Sequence, residues 1–297
     1  GYQFYNCASG ATKVLGATGS DGGGRMKMYD ASSTETGVTY KFNIKKLDGQ
    51  NDYAFVQQYG ATNQWWNNRD KYLSYWNNSA AYATNCTGSQ YMFVEVTSED
   101  LKKMAESYKT SALAVLTSLE ELFDDAATIK AAIESVNTDD AAALGTIISE
   151  FEKIGNKRIA FRNGDPNHSA RVNAYLAVRP NREKGYGTQA HQNWGNIVWS
   201  LKLGINSTFA LYNEVHELYL GSPSSNGALT AVPTAGYTVE LIDAASNKVE
   251  FKWGDQTLHL NNHNDGFLSS YDYNDDASRW YIETDLSGRL AEYKTAI

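Results

Sequence analysis

Two patterns of apolar positions alternate along the 297-residue chain. Over 1–97, and again over 157–290, short β-branched or aromatic runs are punctuated by Gly, Asn, Asp and Ser. This is the pattern of strands joined by turns. An aromatic residue followed two positions later by an apolar one recurs at Tyr40-Lys41-Phe42, Tyr91-Met92-Phe93, Trp199-Ser200-Leu201, Tyr237-Thr238-Val239 and Trp280-Tyr281-Ile282. The i, i+2 spacing puts both side chains on one strand face, so these pairs are expected to point into a core. In the C-terminal half they fall roughly 40 residues apart, leaving room for three units of about four strands each. Closing three such units into a barrel with hairpin caps would remove exposed sheet edges. Between the β-rich regions, over 98–156, the period changes. Leu101, Met104, Tyr108, Leu116, Leu119 and Phe123 recur at helical intervals, with Ser98 as the expected N-cap and Thr138 as a second. Two or three antiparallel helices are predicted. Their apolar stripe reads as core, because the opposite face lacks the basic residues of a membrane-surface helix.

The β-rich regions also repeat each other. WWNNRDKYLSYWNNSAAYATNCTGSQYMFVEV at 65–96 resembles LHLNNHNDGFLSSYDYNDDASRWYIE at 258–283, with Tyr72-Leu73-Ser74 set against Phe267-Leu268-Ser269. Upstream, 37–60 resembles 235–254, and YQFYNCASGATKVLGATG at 2–19 resembles FALYNEVHELYLGSP at 209–223. The order is kept throughout, which points to duplication. A unit that cannot bury its apolar face alone is commonly repeated.

Composition narrows the partners. A formal net charge of -8 lacks the concentrated basic surface that phosphate backbones need, so nucleic acid is not an expected partner. No apolar run reaches the roughly 18 residues of a spanning helix, so membrane insertion is not expected either. Cys7 and Cys86 are the two cysteines. Neither has the spacing of a zinc site, and one disulfide or two buried thiols stand as alternatives. The 20 Tyr and 24 Gly have the look of exported β-structure rich in turns, giving a secreted, cell-surface or periplasmic expectation.

RIAFRNGDPNHSARVNAYLAV, FALYNEVHELYLGSP and LHLNNHNDGFLSSYD read as the openings of three units. On these motifs the C-terminal half resembles the ricin-type β-trefoil domains of secreted proteins of gut Bacteroides-group bacteria. The resemblance implies a mainly β protein with a central α segment. An incomplete, two-repeat trefoil-like domain would span 1–97, a helical linker 98–156, and a complete trefoil 157–297. It also implies that Cys7 and Cys86 would be neighbours where the first domain closes. The family's Gln-x-Trp is changed at the corresponding triplets Ile197-Val198-Trp199, Ser278-Arg279-Trp280 and Ser89-Gln90-Tyr91. The aromatic is kept for the core, and the glutamine is not.

No nucleophile elbow, zinc-protease helix, P-loop or dinucleotide fingerprint is present. The pairs Asp124-Asp125, Asp139-Asp140 and Asp275-Asp276 fit helix caps and loop tips better than hydrolase carboxylates facing across a cleft. No cofactor or metal is expected, although His259 and His263 share a strand parity. The expectation is a non-catalytic carbohydrate-binding protein, its partners glycans or glycoproteins. A sugar needs an aromatic platform beside groups that bond its hydroxyls. The residues offering that combination are Asp265, Tyr271 and Asp272, and in the first copy Asp70, Trp76 and Asn77. The competing reading is a structural protein whose trefoil units act as spacers and whose helical segment docks a partner.

Overall fold

The computed structural model describes residues 1–5, 13–18, 25–46, 53–58, 72–76, 79–83, 90–92, 94–164, 174–179, 183–188, 194–204, 206–223, 227–230, 233–253, 259–262, 266–271 and 275–284. They divide into two compact units, Gly1–Leu101 and Lys102–Ile297. The chain is mainly β with a helical segment between its β-rich regions.

In the first unit, β1 (Lys13–Thr18), β2 (Arg25–Asp30) and β3 (Val38–Thr39) form an antiparallel sheet ordered β2-β1-β3. A second sheet runs β4 (Phe42–Lys46), β5 (Tyr53–Gln58), β6 (Tyr72–Trp76), β7 (Ser79–Ala83), with β8 (Gln90–Met92) also paired to β5. Phe42, Ala17 and Val56 form a buried core against Phe4, Leu15, Met26 and Tyr91.

The helices are α1 (Ser98–Leu119), α2 (Ala126–Glu134) and α3 (Ala143–Phe151). Thr97, one residue before the expected cap, closes the start of α1. Its hydroxyl accepts from the Asp100 amide at 3.2 Å, and the Asp100 carboxylate accepts from the Thr97 amide at 3.0 Å. Both orphan donors are thereby satisfied. Thr138 caps nothing; the Asp140 carboxylate, which accepts from the Ala142 amide at 2.8 Å, shapes the turn into α3. The helical stripe is core along Ala105, Ala112, Val115, Leu116 and Leu119, whereas Met104 is exposed.

Among the described residues, twelve strands follow in one sheet. The first four are β9 (Ala160–Asn163), β10 (Tyr175–Val178), β11 (Gly185–Thr188) and β12 (Ser200–Leu203), with the one-turn helix α4 (Trp194–Ile197) before the last. The next four are β13 (Phe209–Asn213), β14 (Leu218–Leu220), β15 (Leu229–Thr230) and β16 (Tyr237–Asp243). The last four are β17 (Lys248–Trp253), β18 (His259–Asn262), β19 (Leu268–Tyr271) and β20 (Arg279–Glu283). First and fourth strands join in a ring. β12 pairs β13, β13 pairs β16, β16 pairs β17, β17 pairs β20 and β20 pairs β9. Ile159 and Trp199 close it, exchanging backbone bonds of 2.9 and 2.8 Å. The middle strands make the hairpins β10–β11, β14–β15 and β18–β19.

Register repeats as well as order. Tyr281 opposes Arg162, Ser200 opposes Tyr212 and Thr238 opposes Lys252. One strand further on, Arg162 opposes Tyr175, Tyr212 opposes Tyr219 and Lys252 opposes His259. The expected core slots are filled by Trp199, Tyr237 and Trp280, each fully buried. Each also donates to a backbone carbonyl: Trp199 Nε1 to Leu176 at 3.0 Å, Trp280 Nε1 to Leu260 at 2.9 Å, and Tyr237 Oη to Gly221 at 2.6 Å. A large ring with one polar atom fills the core while satisfying a carbonyl that burial would otherwise strand. Phe251 packs edge-on to Phe161 at 5.1 Å and to Phe209 at 6.3 Å inside the ring. Where the hairpins meet, a Cβ on Gly187 would lie 2.3 Å from Asn262 Oδ1. Only glycine leaves room there.

The first unit repeats this pairing scheme by itself. Tyr2 bridges Phe42 as Phe209 pairs Tyr237, and Tyr5 bridges Val14 as Tyr212 pairs Tyr219. β4, β5, β6, β7 and β8 then pair as β16, β17, β18, β19 and β20 do. Two details of the sequence reading change. His259–Asn262 is the second strand of its repeat, since β17 opens it. Tyr72–Trp76 takes the place of His259–Asn262, not of Leu268–Tyr271, because β6 joins both β5 and β7. An aromatic-Leu-Ser run marks a strand without saying which arm of a hairpin it forms.

Candidate functional site

The β18–β19 hairpin is held from beneath by Leu260 and Leu268, both fully buried. Asn261, opposite Ser269, is spent inside the fold. Its Nδ2 donates to Ser278 Oγ at 3.0 Å and to Asp275 Oδ1 at 3.3 Å. Asp275 also accepts from the Ala277 amide at 2.8 Å and so caps a 3-10 turn. These bonds fix the middle of the hairpin; at its open end, away from the turn, Tyr271 opposes His259 and is 55% exposed. Asp265 and Asp272 lie outside the described residues, as do Asp70, Asn77, His263, Cys7 and Cys86. Trp76 ends β6, but its side chain is likewise outside them.

His259, the strand partner of Tyr271, lies against a buried carboxyl group. Glu250 sits on β17 where the equivalent positions are Ala160 and Ala210, and it is 1% exposed. Its Oε2 is 3.3 Å from His259 Nε2 and its Oε1 is 3.4 Å from Arg279 Nε. Burial pushes the Glu250 carboxyl up to about 7, with Arg279 opposing the shift. Arg279 also holds Asp276 at 2.6 Å. At the edge, Lys252 bonds Glu240, and that hydrogen bond holds the Glu240 carboxyl below its ordinary value.

On the outer face of the ring, the equivalent positions in the three units carry different chemistry. In the first, Glu283 accepts from Arg162 Nε at 2.7 Å and from Tyr175 Oη at 2.8 Å. In the third, Glu240 meets Lys252, with His259 Nε2 at 3.9 Å. In the second these places are held by Lys202, Tyr212 and Tyr219. The two tyrosine rings lie 4.6 Å apart with Lys202 5.3 Å over Tyr212. The carboxylate comes instead from Glu152, beside the end of α3 and 2.9 Å from Lys202. Here a cleft of about 650 Å³ opens, its far wall including Tyr108 of α1. Sequence reading missed it, because Glu152 and Tyr108 lie far along the chain from Tyr212. The one trace in the sequence is FALYNEVHELYL, which carries Tyr212 and Tyr219.

The carboxylate pairs do structural work: Asp125 accepts from the Gly155 amide at 3.3 Å and Asp139 pairs Lys102 at 2.8 Å. Among the described residues no group of three or more His, Cys, Asp or Glu side chains is placed to hold a metal ion, and no helix is long and apolar enough to cross a membrane.

No family model and no curated protein matches the chain. Among solved structures, part of it is similar to SeviL bound to asialo-GM1 saccharide, at 11% identity and a TM-score of 0.35, over 43% of this chain and 96% of that one. It is similar to the Macrolepiota procera ricin B-like lectin in complex with lactose, at 13% identity and a TM-score of 0.35, over 43% and 95%. It is also similar to a Clostridium perfringens endo-β-galactosidase that releases GlcNAcα1-4Gal, at 17% identity and a TM-score of 0.35, over 42% of this chain and 31% of that one.

Proposed function

We propose that the chain is a non-catalytic carbohydrate-binding protein acting outside the cytoplasm. Its C-terminal β region is read as a β-trefoil, and its N-terminal one as a trefoil-like domain with two repeats of three. The six-strand ring, the three hairpins and the repeated register support the first reading; the matching pairings of β4 to β8 support the second. The observation that carries the function is Tyr271. Among the described residues of the second unit it is the one large aromatic side chain left exposed. It ends a hairpin braced by Leu260, Leu268 and Asn261. An exposed ring on a rigid hairpin presents the flat apolar face that stacks on a sugar's C–H surface. Asp265 and Asp272 flank it in sequence and would bond the hydroxyls. Asp70, Trp76 and Asn77 would serve a second site in the first unit, and two weak sites on one chain raise avidity toward clustered glycans.

The test is a glycan array probed with the intact chain and with Tyr271→Ala. Reproducible glycan binding that falls in the variant supports the proposal. Binding unchanged by Tyr271→Ala removes this residue from the site.

A further inference from the structure

The second repeat of the C-terminal β region, β13–β16, departs from its two siblings at a place where all three can be compared position by position. In the first, an acid, a base and a tyrosine close on one another through Glu283, Arg162 and Tyr175. In the third, Glu240, Lys252 and His259 occupy the same three positions. In the second, the acid's place holds Lys202 and the base's place holds Tyr212. Lys202 and the two tyrosines therefore cannot form the acid-centred cluster of the siblings. Glu152 supplies the carboxylate from the helical segment, and Ser111 of α1 fixes that segment to the β12–β13 turn. Its Oγ accepts from the Ser207 amide at 2.6 Å. The cleft is thus built by two parts of the chain and pinned on its helical side.

We infer that this cleft is a further binding site, taking a neutral saccharide on a platform of Tyr212 and Tyr219 with Glu152 as a hydroxyl acceptor. The inference rests on the reading of the chain as a glycan binder, and it gives the helical segment a role as one wall of a site. The size suits one or two sugar rings, since small-molecule clefts run from about 300 to 1,000 Å³. Glu152 and Lys202 pair at 2.9 Å in the lining, so the platform offers no unmatched charge to an ionic ligand. Burial, and after it Tyr219, Glu217, Glu214 and Glu152, raise the Tyr212 hydroxyl to about 12, and burial with Glu152 raises that of Tyr219. Both phenols stay protonated as donors. A cation gains little, because Glu152 is already matched by Lys202. Ala210, Ala235 and Pro233 add apolar surface to the lining.

The test uses the intact chain on an array of neutral galactosides, mannosides and N-acetylglucosaminides with their sialylated counterparts. Tyr219→Ala removes half of the platform. Thr234→Arg fills the mouth from an exposed rim position and leaves the core untouched, so it decides the matter if Tyr219→Ala folds poorly. The expected result is roughly a tenfold loss of apparent affinity for a subset of neutral glycans in both variants, with that subset still bound by Tyr271→Ala. Thr234→Arg leaving every signal intact while Tyr271→Ala removes them would overturn the cleft and leave the proposed function standing. Sialylated glycans preferred by the Thr234-sensitive site would overturn its neutral character. A wild-type array without binding would overturn both.

Discussion

Glu250 shows how one residue changes what a repeat can do. Alanine fills the same place in the other two units, and a buried carboxylate costs free energy that alanine does not. The folded state holds the Glu250 carboxyl near 7, against an ordinary value of 4.5. Below about pH 4.5 it is protonated in both states, and stability is unaffected by its charge. Between there and about 7 the folded state binds the proton that the unfolded chain has released. Stability therefore falls as pH rises through this window, by up to about 1.4 kcal/mol per pH unit. Urea unfolding at pH 5 and pH 8 should show a larger fall in the wild type than in Glu250→Gln. Equal falls would show that Glu250 is not the group responsible. Tyr237→Phe is a second residue-scale case. It keeps the ring and strands the Gly221 carbonyl, so it should cost about 1 to 3 kcal/mol in the same assay.

At the scale of elements, the strands that face the core were legible because alternation and register are local. Trp199, Tyr237 and Trp280 stand at matching positions, and the i, i+2 rule identified all three as core. The match between YQFYN and FALYN likewise reappears as equivalent bridges at Tyr2 and Phe209. Hairpin arms were less legible. Tyr72–Trp76 and Leu268–Tyr271 share an aromatic-rich strand signature, and only long-range pairing shows that they occupy different arms. The Glu152–Lys202 bridge was invisible for the same reason, since a helix-to-barrel ion pair leaves no periodic trace in sequence. Helix caps are intermediate: Thr97 and Ser98 both suit an N-cap, and Asp100 decides for Thr97 by bonding back to it. Thr97→Ala should therefore destabilise the start of α1 by about 1 kcal/mol, read as faster amide exchange at residues 99–101. Unchanged exchange there would assign the cap elsewhere.

At the scale of the whole molecule, the described residues of the two β regions share a pairing scheme. Among the described residues of the first unit, those pairings match the second and third repeats of the later one. A duplicated scaffold that leaves selected positions open suits a protein presenting several weak sites. Tyr271 and the Tyr212–Tyr219 cleft are two such positions within one unit. Saturation-transfer NMR of the intact chain with neutral oligosaccharides from the array tests the central claim most directly. The account predicts transfer to sugar ring protons, reduced in Tyr271→Ala. No transfer to any neutral glycan from correctly folded protein would contradict it.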